Sequence, residues 1–390
     1  MTYPLRVLHL FGRMDRGGAE LRTLDVIRRL DPTQVQTHIC VLSGLQGELD
    51  QEVLRAGGMM HYVRLDSRFP WRFLHLIRSQ RIDVVHSHVY LATGAILLLA
   101  KLAGVQQRIA HFRCSQDDGG HALAKRLRHA LLRRLIDRYA TRIAAVSNAA
   151  MRSAWREDYQ HDPRCEVVYN GINLAPFEGA CDRTGVCQEF DLPHNCVLYI
   201  HVGNVRPSKN HAKVLAIFAE IIKRQPEARL LLAGRGADDK SSLLQQIQQR
   251  SLCGLVRLAG VRHDVPRLLR AADLLLFPSL HEGLPGVLLE AAAAGVPALA
   301  SDLSVVREIS PFLAGIRSLS VTEDDATWAN LAQEIVKSTS PTLRDAWAKS
   351  FKQSPFTLDA SVAAHLRIWE SDCSGPPALS EESGLHRHAA

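Results

Sequence analysis

The stretch VLYIHVGNVRPSKNHAKVLAIFAEIIKRQPEARLLLAGRG, residues 197–236, decides the fold. VLYIHVG is a short apolar run closed by a glycine, which is a strand signal. NHAKVLAIFAEIIKRQ carries its apolar residues at helical spacing, and ARLLLAGRG reads as a second strand and turn. Strand, helix and strand in succession form the unit of a parallel α/β sheet. KSSLLQQIQQR, LVRLAG, ADLLLFPS and VPALASD carry the rhythm toward the C-terminus. Upstream it runs through LRVLHLF, THICVLS, MMHYV, DVVHSH, RIAHFR and RIAAVS, with helix-like stretches at 71–80, 90–103 and 121–140. Two α/β units of similar size therefore stand in tandem. Between them lies YNGINLAPFEGACDRTGVCQEFDLPHN (169–195), rich in Gly, Pro, Asn and Asp and weak in periodicity, a linker signature.

A chain of 390 residues is too long for one ordinary core, in keeping with two domains. Residues 1–175 are expected to form the first and 176–355 the second. LDASVAAHLRIWE, within about 356–371, is a further amphipathic helix expected to pack back on the first domain. The polar tail 372–390 is expected to be disordered.

With 46% hydrophobic and 22% charged residues, a largely disordered chain is excluded. The start of the chain lacks the pattern of a signal peptide. The longest apolar run, LATGAILLLAKLAGV (91–105), is broken by Lys101 and too short for a membrane span. A cytoplasmic location is expected. The eight cysteines form no C-x-x-C pair, so neither a zinc site nor a disulfide framework is indicated. Net charge is +7, and it is uneven. Residues 1–175 carry 25 Lys+Arg against 16 Asp+Glu, and 176–390 carry 22 against 24. The basic half is expected to meet something anionic.

Ligands of tandem parallel sheets bind outside the carboxyl ends of strands, and four stretches sit at such ends. In GRMDRGGAE (12–20), Gly17 and Gly18 permit close backbone approach before a helix that offers free N–H groups. A plain tight turn explains the same residues. In HVGNVRPSKNH (201–211), Arg206 and Lys209 suit a diphosphate leaving group, or are two solvated charges. In HEGLPGVLLEAAAAG (281–295), Pro285 opens a helix that stops at Gly295. Backbone N–H groups of Gly283, Leu284 and Val287 can hold phosphate oxygens there. Glu290, deeper in the helix, is a lone carboxylate in an apolar run and needs a partner. Ribose hydroxyls are one partner; an arginine or a backbone amide is another. The fourth set is His86 and His88 in DVVHSHVY and His111 in RIAHFRCSQDDGG. His-x-His puts two rings on one face of a strand. No acidic third ligand is evident, so no metal site is expected. His111 is a candidate for substrate contact or a buried structural histidine.

Glu282 and Glu290 match the E-x7-E motif of retaining glycosyltransferases of the GT-B architecture, and the chain resembles family 4 of these. LFGRMDRGGAE, DVVHSH, VVYNGIN, LLAGRG, LAGVRHDVPRLLRAADLLLFPS and EGLPGVLLEAAAAGVPALASD occur in the family's order. The resemblance implies two Rossmann-like, doubly wound parallel-sheet domains facing a central cleft. It implies that the second binds a nucleotide-sugar, a UDP-sugar in preference to a GDP-sugar. Glu290 would grip the ribose. Arg206 and Lys209, with amides around Gly283, Leu284 and Pro285, would hold the diphosphate. Glu282 and His111 would contact the sugar, and Gly17 and Gly18 would approach the phosphates. GVRHD (260–264) would meet the base. One departure stands out: many members carry arginine directly after the Gly203 counterpart, and here that residue is Asn204, with Arg206 two positions on.

The implied reaction is glycosyl transfer with retention to a glycan or lipid-linked acceptor, in cell-surface polysaccharide synthesis, without a metal cofactor. The basic amphipathic segment HALAKRLRHALLRRLIDRYATR (121–142) suits an anionic membrane surface, and equally a core-packed helix with a solvated basic face. A nucleotide-sugar epimerase and a non-catalytic, membrane-recruited binding subunit are the rival readings. A dinucleotide-dependent oxidoreductase is disfavoured because G-x-G-x-x-G is missing, and no nucleic-acid-binding motif is present.

Overall fold

A computed structural model describes residues 3–113, 123–237 and 242–370. It contains two sheets, each wholly parallel. The first comprises β1 (Leu5–Phe11), β2 (Val35–Val41), β3 (Met59–Tyr62), β4 (Val84–Ser87), β5 (Gln107–Phe112), β6 (Arg142–Ala145) and β7 (Cys165–Val167), in the order 3-2-1-4-5-6-7. The second comprises β8 (Leu198–Val202), β9 (Arg229–Ala233), β10 (Val256–Gly260), β11 (Leu274–Phe277), β12 (Ala298–Ser301) and β13 (Ile316–Leu319), in the order 10-9-8-11-12-13. Each order reverses once, between β1 and β4 and between β8 and β11. Those reversals are the points where ligands bind in doubly wound sheets.

The central strands read as unbroken apolar runs because helices cover both faces. Leu274, Leu275, Leu276 and Phe277 of β11 are all fully buried. One face packs each residue of one parity, and the second face takes the other. In β1, Leu8 and Leu10 enter the largest apolar cluster, and Val7 enters a smaller one beneath the C-terminal helix.

That helix, Leu358–Glu370, lies against the first sheet, with Ile368 and Trp369 beside Val7, Val84 and Ile109. Arg29 donates to Asp359 at 2.9 Å, and Arg367 to Glu166 at 3.0 Å. The returning chain runs alongside the outgoing one: Ile172 pairs with Thr357, the Ile172 N–H donates to Phe356 at 2.8 Å, and the Leu358 N–H donates to Ile172 at 3.1 Å. A Cβ on Gly171 would fall 2.6 Å from backbone atoms of Thr357 and Leu358, so the two segments meet at van der Waals contact only because residue 171 has no side chain.

The basic segment is helical over Leu123–Tyr139. Its described apolar residues do not form one stripe. Ile136 is buried and Leu132 and Leu135 partly so, whereas Leu127 and Leu131 are 63% and 59% exposed. A four-residue spacing drifts around a helix of 3.6 residues per turn, so leucines at that spacing cannot all face the core. No helix among the described residues is long and apolar enough to cross a membrane. The tail 372–390, expected to be disordered, and the loop after Arg113 lie outside the described residues.

Candidate active site

The loops after β8 and β11 meet at the reversal point of the second sheet. The Leu280 N–H donates to the Ser208 carbonyl at 2.8 Å, and Asn210 Nδ2 to the Pro278 carbonyl at 3.2 Å. Lys209 lies on a single turn, Pro207–Lys209, and its stem crosses Gly203, where a Cβ would crowd it. Its Nζ donates to Glu282 Oε1 at 2.6 Å and sits 5.3 Å from the centre of the Phe277 ring. Two residues 73 positions apart are thus one ion pair. Arg206 is exposed beside them. Asn204, the departure from the family pattern, is used differently: its Oδ1 accepts the Arg235 N–H at 2.9 Å and holds the turn after β9.

The helix expected from Pro285 spans Gly286–Ala293, with Pro285 at its N-cap. It ends where Gly295 takes φ +65°, against the Arg344 carbonyl. The amides of Gly283 and Leu284, just before the helix, meet no acceptor among the described residues. A Cβ on Gly286 would touch nothing within 4 Å, so the space before the helix is open.

Glu290 lies one turn in. Its partner is Arg22, from the helix Gly18–Arg29 of the other lobe, which donates through Nη2 to Glu290 Oε1. Arg22 Nη1 also donates to Asp25 at 2.9 Å. Of the partners open to this carboxylate from sequence, the structure uses an arginine. Burial pushes the Glu290 carboxyl up from its ordinary pKa, and Arg22 opposes that rise. The side chains are 14% and 17% exposed, so the pair borders the cleft.

In the first lobe, Gly17 is the N-cap of the helix Gly18–Arg29, with the Glu20 carboxylate folded against it, and Gly18 faces open space. Burial raises the Glu20 pKa, while Arg113 and, from the second lobe, Arg206 act to lower it. Both cations are therefore near this helix end.

His111 is 2% exposed and belongs to a cluster. His9 on β1 is in register with His86 on β4, and His88 and His365 complete the group. Two fixed donors set every tautomer along two relays. Trp369 Nε1–H donates to His86 Nδ1 at 3.1 Å, so the His86 proton is on Nε2 and is given to His111 Nδ1 at 2.9 Å. Arg113 Nε–H donates to His88 Nδ1 at 3.1 Å, so His88 gives its Nε2 proton to His9 Nδ1 at 3.0 Å. Each relay ends on an Nε2–H, of His111 and of His9, that is buried and has no partner among the described residues. Ligand nitrogens of His9, His86 and His88 do lie within 4.8 Å of one another. Metal-bound histidine donates from its other nitrogen, however, and here those nitrogens on His86 and His88 accept. With a guanidinium alongside as well, the cluster is a hydrogen-bond relay and does not fit a metal. Burial holds His9, His86, His88 and His111 well below the ordinary histidine pKa, and His365 is pushed down to about 4.

Three more links join the lobes. Ser147 Oγ donates to the Gly283 carbonyl at 2.6 Å. Glu308 accepts from the N–H groups of Asn148 and Ala149 at 2.8 and 3.0 Å and from the Tyr169 hydroxyl at 2.9 Å. Arg235 donates to Glu48 at 2.9 Å. The structure therefore brings Glu282, Lys209, Gly283 and Leu284 together and sets Glu290 against the first lobe. His111 stands apart from them, inside the first sheet. Arg22, Ser147, Glu308 and His9 went unread in the sequence, and Arg113 was legible only as a residue of the loop after His111. Ser147 alone gave a signal, a serine between the strand RIAAV and a helix, and that signal predicts a cap, not a contact with another lobe.

Residues 16–176 match the family model described as Glycosyltransferase Family 4, and residues 197–338 match Glycosyl transferases group 1. The capsular polysaccharide biosynthesis glycosyltransferase CapH of Staphylococcus aureus is 30% identical, over 85% of this chain and 91% of that one. The putative glycosyltransferase EpsF of Bacillus subtilis is 29% identical, over 93% and 96%. Among solved structures, Anabaena HepE in complex with UDP and glucose superposes with a TM-score of 0.78 at 18% identity, covering 94% of this chain and all of that one. Two facing parallel-sheet lobes with this likeness define a GT-B fold. The chain belongs to glycosyltransferase family 4, and it is a glycosyltransferase.

Two predictions follow from the charges. Replacing Arg22 by Met leaves Glu290 without its partner and should destabilise the protein by about 2 kcal/mol, less than for a fully buried pair because both groups border the cleft. The double variant Arg22→Met/Glu290→Gln should recover most of that loss in thermal or denaturant unfolding. A double variant no more stable than the single one would show that the pair is not what holds the two side chains. The second concerns pH. A histidine kept neutral in the fold takes up a proton only on unfolding, so stability is full above pH 6.5 and falls as the pH drops below it. Each such histidine contributes about 1.4 kcal/mol per pH unit. The melting temperature should therefore fall steeply between pH 6.5 and 5, and less steeply in His365→Gln. A flat profile there would refute the neutral cluster.

Proposed function

We propose that this enzyme transfers a sugar from a nucleotide-sugar, a UDP-sugar in preference to a GDP-sugar, to a hydroxyl of a glycan or lipid-linked acceptor, with retention of configuration, in cell-surface polysaccharide synthesis. The observation that carries this reading is the Lys209–Glu282 pair beside the unpartnered amides of Gly283 and Leu284, at the reversal point of the second sheet. A cation and free N–H groups converging on open space suit a departing diphosphate. The name of CapH and the UDP and glucose in the HepE complex support the polysaccharide and nucleotide parts.

Each residue then has a task. Lys209 and Arg206 take the charge that develops on the leaving diphosphate, with Gly17 and Gly18 approaching from the first lobe. Lys209 is already held by Glu282, so the ammonium is aimed before the donor arrives. Glu282 keeps its second oxygen for the sugar; His111, buried within the first sheet, is assigned no contact with it. The acceptor proton passes to the leaving phosphate oxygen. Glu290 accepts from the ribose hydroxyls after sharing or releasing Arg22. With cations supplied by side chains, turnover should survive excess EDTA; loss restored by added Mg²⁺ would refute metal independence.

Glu290→Ala should weaken UDP binding about tenfold or more, the size of a charged hydrogen bond, in calorimetric titration. Glu282→Gln should leave UDP affinity within about threefold and lower turnover by two orders of magnitude or more. Unchanged UDP affinity in Glu290→Ala would separate this carboxylate from the nucleotide.

The helix Leu123–Tyr139 supports peripheral attachment to the inner face of a membrane, with the enzyme otherwise cytoplasmic. Leu127 and Leu131 are exposed beside Arg128, Arg134 and Arg138, an apolar and cationic surface suited to anionic lipid. The protein should sediment with vesicles containing anionic lipid at low salt, and Leu127→Glu/Leu131→Glu should stay in the supernatant. Failure of the unaltered protein to sediment would end this part of the reading.

A further inference from the structure

Ser147 follows β6 and caps the helix Asn148–Ala154: its Oγ accepts the Ala150 N–H at 2.9 Å. The same hydroxyl sends its proton across the lobe boundary to the Gly283 carbonyl at 2.6 Å. Both capacities of the group are in use, in a side chain with no exposed surface. A serine needed only as a cap has no reason to reach into the other lobe. Glu308 holds the same helix end from the second lobe, through the amides of Asn148 and Ala149 and the Asn148 side chain. The helix end and the loop at Gly283 are therefore fixed to one another.

The carbonyl of one residue and the N–H of the next point in opposite directions across a trans peptide. The Gly283 carbonyl faces Ser147 in the first lobe, so the Leu284 N–H faces away from it. That N–H has no acceptor among the described residues, although Leu284 is only 9% exposed. It belongs to the loop that carries Glu282, beside the open space before the helix Gly286–Ala293.

We propose that Ser147 is a positioning residue for the donor: by gripping the Gly283 carbonyl it sets the Gly283–Leu284 peptide so that the Leu284 amide is presented to the diphosphate only while the two lobes are docked. Docking of the lobes and completion of the anion site are then a single event. A donor bound to the second lobe alone meets a loop whose peptide is free to turn. This inference rests on the nucleotide-sugar reading above.

The test compares the unaltered enzyme with Ser147→Gly and Ser147→Thr. Glycine is nearly as good a helix cap as serine but has no hydroxyl for Gly283, whereas threonine keeps both bonds. Each protein is measured by thermal unfolding, by UDP titration and by kcat and KM for the donor. Ser147→Gly should melt close to the unaltered enzyme, bind UDP about five- to tenfold more weakly, and lose kcat as well, the effect of one hydrogen bond on an aligned donor. Ser147→Thr should behave as the unaltered enzyme. Amide exchange in the segment around Leu284 should slow on adding UDP to the unaltered enzyme, and not in Ser147→Gly. Unchanged UDP affinity and turnover in Ser147→Gly would overturn the role of Ser147 while leaving the nucleotide-sugar reading intact. No UDP binding by the unaltered enzyme would instead remove the reading itself. Should Ser147→Gly not fold, Ser147→Asn, which keeps an oxygen for the cap and an N–H for the carbonyl, must hold UDP within about twofold, and a greater loss would overturn the proposal.

Discussion

A carboxylate set among apolar side chains must find a counter-charge or give up its own, and in this chain that demand falls at the boundary between two lobes. Glu290 lies in a helix whose neighbours are alanine, leucine and valine, and among the described residues its own lobe offers it no cation. Arg22 answers from the other lobe, held at the right height by Asp25 on the same helix. Much else follows from that single pairing. The lobes approach closely enough for Ser147 to reach Gly283 and for Glu308 to engage the backbone of Asn148 and Ala149. Two carboxylates at the cleft, Glu282 and Glu290, are already matched to cations. A ligand entering it exchanges partners and does not bring charge to an empty surface. Exchange is cheaper than fresh desolvation, because the charged groups have left water before the ligand arrives.

The histidines of the first sheet obey a related rule with a different outcome. Five imidazoles below the cleft, with an arginine at their edge, would repel one another if protonated. Burial keeps them neutral, and neutral imidazole passes hydrogen-bond polarity along a line, donor to acceptor to donor. Trp369, from the far end of the chain, fixes the sense of one line, and Arg113, at the cleft, fixes the other. The direction of those bonds suits a relay and does not suit a metal. The residue types and distances alone would have allowed one.

How much of this the sequence displays depends on the range of the interaction. Tandem parallel sheets are legible at residues 197–236 and their upstream counterpart, because alternation of strand and helix is local. The helix at HEGLPGVLLEAAAAG is legible from Pro285 and Gly295, which act on their own neighbours. Lys209 and Glu282 are legible as types of residue at strand ends, but their pairing across 73 positions is not. Arg22 lies 268 positions from its partner, and nothing around it distinguishes it from the other arginines of its helix. His9 escaped notice for the same reason. A histidine on a central strand is silent until strand order puts it beside His86, and strand order is not written locally. The leucines of the basic segment recur every four residues, so a real helix turns part of the row toward water, and which part is settled only by packing.

The chain passes between the lobes twice, outward after β7 and back before the helix Leu358–Glu370, and the two passages lie side by side, bonded at Ile172, Phe356 and Leu358. A single tether would leave the second lobe free to swivel in any direction, like a ball in a socket. Two tethers fastened together behave as a door hung on one edge. Movement of the lobes is then a swing about that edge, with one angle as its coordinate, and every contact across the cleft reads the same angle.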